Sequence, residues 1–214
     1  MTDNFKSYRN YIEEQFKLST LSEGDTYFVV ELMRRGKDNP DLPAANYHFK
    51  NYYIRKIEDL DKYENEIKLL CEVMRLRAYA SVNYKSFKQV TLNTLLELSR
   101  RVAKNDFKKN YNVYESASGS YVHSKNKRWV IDLDDCEIDD EYVSVVESCI
   151  NNCKPLNTNK IITKIPTRSG IHLITKPFDK EQFIEECKCN YITLKYGKTP
   201  DIKKNHLTLL YENL

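Results

Sequence analysis

Apolar residues recur along the chain at two spacings, and the spacing marks out the elements. In the first half, "TYFVVELM" from Thr26 and "FKNYYIRKI" from Phe49 have the aromatic and β-branched content of strands. Ile57, Leu60, Ile67, Leu70, Cys71 and Met74 then fall at helical intervals and predict an amphipathic helix. In "RLRAYASVN", Leu76, Ala78, Ala80 and Val82 alternate with Arg75, Arg77, Tyr79, Ser81 and Asn83, which predicts a strand with one apolar and one cationic, polar face. A helix carrying Val90, Leu92, Leu95, Leu96 and Val102 closes this half.

The second half is more regular. A strand at about 128–134 leads to a helix at about 139–152 with Tyr142, Val145, Val146, Cys149 and Ile150 as its buried stripe. "KIITKIP" and "SGIHLITKP" read as two strands joined by a short turn, and "DKEQFIEECK" as a short helix that Asp179 can cap. "HLTLLY", His206 to Tyr211, is expected as the last strand. The order β-α-β-β-α-β is that of the ferredoxin-like, or RRM-like, split motif. The expected fold class is therefore α+β, an RRM-like half packed with an N-terminal α/β unit. The boundaries are 1–114 for the N-terminal unit, 115–127 for a Ser-rich linker ("ESASGSYVHSKNK") and 128–214 for the RRM-like half, with one compact domain overall as the alternative.

Period two on the first strand of that half separates Trp129, Ile131 and Leu133 from Val130, Asp132 and Asp134. On the third strand it separates Ile171 and Leu173 from His172 and Ile174. In this motif the first and third strands are central neighbours and the helices cover one face. With the apolar sets toward the helices, both aspartates and His172 converge on the face left free.

Composition narrows the class. With 214 residues, 41% apolar and 12% aromatic, the chain can bury enough surface to fold. It has no apolar run long enough for a membrane span, and "MTDNFKSYRNYIEEQF" is too polar for a signal peptide, so a cytoplasmic location is expected. The Lys-, Asn-, Ile- and Tyr-rich composition suits an AT-rich bacterial or phage genome, hence a bacterial or phage-infected host cytoplasm. Its six cysteines lack the paired C-x2-C spacing of a zinc ribbon and read as reduced thiols. Net charge is only +3, but it is segregated: Arg101–Arg128 holds seven Lys/Arg against two acids, and Ile131–Glu147 holds eight acids and no base.

Two carboxylates two residues apart on one strand face can share a hard cation such as Mg2+ or Mn2+, which suits phosphate oxygens. The other reading of this D-x-D is a solvated strand end before a capped helix. Nearby "RSGIH" supplies a glycine turn, Gly170, with Arg168, Ser169 and His172, groups able to cradle phosphate. A structural histidine is the alternative for His172.

"VIDLD", "SGIH" and "PDI" (Pro200 to Ile202) together resemble the catalytic core of the archaeo-eukaryotic primase superfamily, including phage and plasmid primase-polymerases. The resemblance covers roughly residues 128–212. It implies that Asp132, Asp134 and Asp201 bind Mg2+ or Mn2+, and that Ser169 and His172, with Arg168 beside them, hold the incoming nucleotide's phosphates. Asp179, Glu212 or none of them are the alternatives for the third acid. The implied partners are a nucleic-acid template and nucleoside triphosphates, with a replicative helicase or other replication protein alongside and no membrane.

The template is expected over two basic surfaces, Arg75 with Arg77 and the cluster Lys104, Lys108, Lys109, Lys125, Lys127 and Arg128, with Tyr79, Tyr111 and Tyr121 available for stacking. Two rival functions use the same residues: a catalytically silent RRM-like nucleic-acid-binding protein, and a metal-dependent nuclease.

Overall fold

The computed structural model describes residues 1–22, 24–39, 46–121, 126–134, 139–190, 192 and 199–213. Its fold is α+β, with two antiparallel sheets and six α-helices among the described residues. No helix among them is long and apolar enough to cross a membrane.

The first sheet is built from β1 (Thr2–Asp3), β2 (Thr26–Arg35), β3 (Asn46–Ile54), β4 (Arg77–Ser81), β5 (Lys85–Ser86) and β10 (Leu207–Glu212). Its order is β1-β10-β4-β2-β3, with β5 pairing β2 beyond β4. Helices α1 (Phe5–Lys17) and α2 (Ile57–Met74) cover one face. There Phe5, Tyr8 and Ile12 of α1 and Leu60, Ile67 and Cys71 of α2 are buried with Phe28, Val30, Leu32, Ala78 and Ala80. Helices α3 (Phe87–Ala103) and α4 (Val113–Ser120) lie on the other, where Tyr27 and Val29 pack with Val90, Phe87, Tyr114 and Ala117. A strand such as β2, buried on both faces, reads as a continuous apolar run rather than an alternation.

The second sheet holds β6 (Trp129–Asp134), β7 (Ile161–Pro166), β8 (Gly170–Thr175) and β9 (Asp201–Lys203) in the order β7-β8-β6-β9. Helices α5 (Asp140–Asn152) and α6 (Lys180–Cys189) cover one face. Trp129, Ile131, Leu133 and Leu173 point into that layer, against Tyr142, Val146, Cys149, Ile150, Phe183 and Cys187. Each such fully buried aliphatic or aromatic side chain contributes about 1.5–3 kcal/mol. Asp139 starts α5 by accepting from the Tyr142 amide, and Asp179 starts α6 by accepting from the amides of Glu181 and Gln182.

Several expectations are corrected. The strand at the C-terminal end does not complete the second sheet. β9, which pairs with β6, takes that place, and Leu207–Glu212 crosses into the first sheet between β1 and β4. The side chains decide this. Asp201, Ile202 and Lys203 alternate, with only Ile202 packed on the α5/α6 core, as befits an edge strand. Residues 208–212 are all buried, as befits an interior one. The boundary at 128–214 therefore fails at its far end.

The stretch 115–127 is no simple linker either. Residues up to Ser120 are α4, and the buried Ser118 bonds the Tyr27 hydroxyl at 3.0 Å and accepts from Lys85 Nζ at 2.6 Å through its carbonyl. Along α3 only Val90 is buried; Leu92, Leu95, Leu96 and Val102 are exposed. The face of the second sheet opposite its helices is not free over its whole length. Val130, Ile165 and Ile174 are buried in the core of the first unit, and only the end carrying Asp132, Asp134 and His172 borders a cavity.

Because β10 sits inside the first sheet, removing residues 205–214 is expected to abolish cooperative unfolding of the whole chain. Urea denaturation followed by circular dichroism checks this. A truncated protein with the full chain's midpoint would show that the first sheet stands without it.

Candidate functional site

A cavity of about 680 Å3 opens where the two sheets meet, a size ordinary for small-ligand sites. One wall comes from the second sheet. Pairing of β6 with β8 sets Asp132 opposite His172 and Asp134 opposite Gly170, and pairing of β6 with β9 sets Asp132 opposite Asp201. Directly opposite residues of antiparallel strands share a face, with Cβ atoms about 5 Å apart. His172, Asp132 and Asp201 thus form one row across three adjacent strands.

The two central members touch. His172 Nε2 lies 3.4 Å from Asp132 Oδ1, which makes no hydrogen bond although it is buried. His172 Nδ1 bonds the Thr208 hydroxyl of β10 at 3.0 Å. Which of the two atoms donates in that contact depends on the ring's tautomer. Lys203 places its ammonium on Asp132 Oδ2. Burial pushes the Asp132 carboxyl up, but His172 and Lys203 outweigh it and hold the group well below the usual carboxylate range. Asp134 is half-buried and accepts from Thr167 Oγ1 at 3.2 Å.

Arg168 and Ser169 are exposed on the turn between β7 and β8, closed by the Thr167 amide donating to the Gly170 carbonyl at 2.8 Å. Both line the cavity, so the turn brings a guanidinium and a hydroxyl to its mouth.

The opposite wall comes from the first sheet. Arg77 is buried between Asp38, 2.8 Å from its Nη2, and Glu212, 3.1 Å from its Nε. Arg168 approaches the same Asp38 at 3.6 Å. Next to this ion cluster, Arg35 Nη1 donates to the Tyr79 hydroxyl at 3.2 Å. His206 also lines the cavity; desolvation and then the charge of Lys203 push its imidazole down to about 4, so it is neutral at neutral pH.

Asp132, Asp134 and His172 therefore line one cavity, Asp201 is exposed on the edge strand and outside that lining, and the expected template surface is largely not formed. Arg77 lies in a buried ion cluster rather than on a free cationic face. Arg128 is buried too, its Nε donating to Gln15 at 3.0 Å and its amide to Asn83 at 2.7 Å. Arg75 is off the strand, in the left-handed residue that ends α2. Lys104, Lys108, Lys109 and Lys127 are exposed, and Lys125 lies outside the described residues. Tyr79 lines the cavity, Tyr111 is exposed and Tyr121 packs near Tyr27. Of the alternative third acids, Asp179 is used as the α6 cap and Glu212 is held by Arg77.

Sequence reasoning missed Lys203, Asp38, Arg35, Thr167, Thr208 and His206. The alternation Asp201-Ile202-Lys203 was a signal for the first of these; the others depend on how the sheets meet. Among the described residues no group of three or more His, Cys, Asp or Glu side chains is placed to hold a metal ion. No family model matches the chain, and neither does any curated protein or solved structure.

Removing Arg77 leaves the buried Glu212 carboxylate without its cation and Asp38 with only the longer Arg168 contact, so Arg77→Ala is expected to cost about 3–5 kcal/mol in urea unfolding; a loss under 1 kcal/mol would mean the cluster is neutral to folding. A carboxyl with a depressed folded-state pKa stabilises fully above its unfolded value near pH 4, and that contribution drains away on acidification. Asp132→Asn should therefore flatten the fall in stability below about pH 4 relative to wild type, measured by denaturation across pH.

Proposed function

We propose that the chain is a metal-dependent nucleotidyltransferase of primase-polymerase type, built on an RRM-like half. The observation that carries this is Asp132, Asp134 and His172 bordering one cavity beneath the Arg168-Ser169 turn, with Asp201 in register opposite Asp132 on the neighbouring edge strand. The connectivity β6-α5-β7-β8-α6-β9 and the order β7-β8-β6-β9 support the RRM-like reading.

The donors fit a hard divalent cation in their chemistry. They are carboxylate oxygens, and one of them, Asp132 Oδ1, is buried without a hydrogen bond. The ammonium of Lys203 on Asp132 Oδ2 marks a place where positive charge is favoured. Asp132 and Asp134, with Asp201 across the strand, would hold Mg2+ or Mn2+. When bound, the cation would offset phosphate charge and lower the cost of ionising an attacking hydroxyl.

The chain's own residues do the rest by positioning and charge. Arg168 and Ser169 bind phosphate oxygens at the cavity mouth. His172, anchored by Thr208, lines the same space beside Asp132. Arg35 and Tyr79 form the wall against which the sugar and base rest, and the buried Arg77 cluster fixes that wall in place. The partners are a nucleic-acid template and nucleoside triphosphates.

One observation favours a second reading, a metal-free module that binds nucleotides or nucleic acid: Lys203 already neutralises Asp132. The two are separated by incubating primed and unprimed templates with labelled nucleotides and Mg2+ or Mn2+. Elongated product is expected, abolished by chelation and reduced roughly a hundredfold or more in Asp132→Ala/Asp134→Ala. Shortened substrate would identify a nuclease instead, and binding without turnover in wild type would leave the metal-free module.

A further inference from the structure

The first sheet ends at β3, whose outer edge pairs with no other strand among the described residues. At the far end of that strand a second cavity, about 400 Å3, wraps around the edge. Its walls are four half-buried rings: Tyr53 of β3, Tyr63 of α2, Phe87 of α3 and Tyr114 of α4. Tyr53 and Tyr114 meet edge-on at 6.0 Å, and Tyr63 lies 5.0 Å from Tyr52. Lys50 and Arg55 stand exposed at its rim. Lys50 is paired with Glu66 at 2.6 Å, whereas the Arg55 guanidinium has no ion pair among the described residues. Four rings from four separate elements, left half-exposed and rimmed by cations, make a poor core and a good stacking platform.

The two cavities are joined by one polar track. Asn46, at the start of β3, lines the larger cavity, and Tyr53, near its end, lines the smaller. The register places Asn46 opposite Arg35, His48 opposite Met33 and Asn51 opposite Glu31, with an irregularity at Phe49 that keeps these polar residues on one face. His48 Nε2 and Asn51 Oδ1 are 2.7 Å apart and exposed, and Asn51 also donates to Glu115 at 3.2 Å. Amide and imidazole groups offer both donors and acceptors to base edges. At about 3.4 Å per step the seven steps from Asn46 to Tyr53 span about 24 Å, the length of a short single strand rather than of one small molecule.

We propose that this second cavity receives a base of single-stranded nucleic acid whose strand runs along Asn46, His48 and Asn51 from the larger cavity. That a template uses the path rests on the nucleotidyltransferase reading; binding of a single strand to the ring cavity does not. The ligand class follows from the chemistry: rings to stack on any base, a free guanidinium for backbone phosphate, and an extended track between sites. It replaces the Arg77 and Arg128 surfaces, which are buried in ion pairs and hydrogen bonds.

The test uses the full chain and fluorescent oligothymidylate and oligouridylate, with anisotropy read over a salt series. Tyr63→Ala keeps a good helix former in α2 and is expected to weaken binding roughly tenfold, with Tyr63→Phe close to wild type. Arg55→Ala is expected to lower the slope of log affinity against log salt by about 0.7, the signature of one lost phosphate contact. Photocross-linking of a bromouracil-containing strand to the unaltered protein should label peptides bearing Tyr53, Tyr63 or Tyr114. The proposal is overturned by a wild-type chain that binds neither strand, by both alanine variants binding as wild type, or by cross-links confined to the Lys104–Lys109 segment. Loss of binding in the variants of a protein that never extends a primer would retain this site and discard the polymerase reading; wild-type binding by variants of a protein that does extend would do the reverse.

Discussion

Everything about the site follows from where the chain goes after Lys203. Three residues separate β9, in the second sheet, from β10, in the first. So short a connection permits little freedom in how the two sheets sit against each other. β10 then supplies Glu212 to Arg77 in one sheet and Thr208 to His172 in the other. Asn4, just before α1, reinforces the junction by donating to the carbonyls of Pro166 and Leu209 at 2.8 and 3.0 Å. The cavity exists because these contacts hold two separately packed layers at a fixed distance.

The helix-facing half of this arrangement was readable from residue spacing. Trp129, Ile131 and Leu133 announced a buried face, and Asp132, Asp134 and His172 followed on the opposite one because period two leaves no other choice. Asp201 was legible only as part of a short motif, and its register opposite Asp132 makes the row concrete. The destination of β10 was not legible. A run such as "LTLLY" states that both faces are covered but not by which sheet, and strand pairing over so many intervening residues leaves no local mark.

Charge was the least transferable signal. Arg77 and Arg128 look alike in sequence to Lys108 and Lys127, yet the arginines are buried in hydrogen-bonded networks and the lysines are exposed. A planar guanidinium with several donors can satisfy itself inside a protein where an ammonium does so less readily, so arginines in a basic run are the members most apt to be structural. The helix α1 and the aromatic cluster around β3 were overlooked for the opposite reason: Tyr8, Tyr11 and the tyrosines of "NYYI" carry polar tips but bury their rings.

The Thr208 hydroxyl gives His172 a second allegiance. The imidazole grows from one sheet, and the hydroxyl that anchors its Nδ1 belongs to the other. A hydrogen bond of 3.0 Å weakens steeply with misalignment, so its strength records the separation of the two layers. Any shift of one layer against the other is thereby felt, at a single nitrogen, as a change in how the ring is held. The histidine is the point at which the spacing of the two sheets is passed to the orientation of one side chain at the cavity.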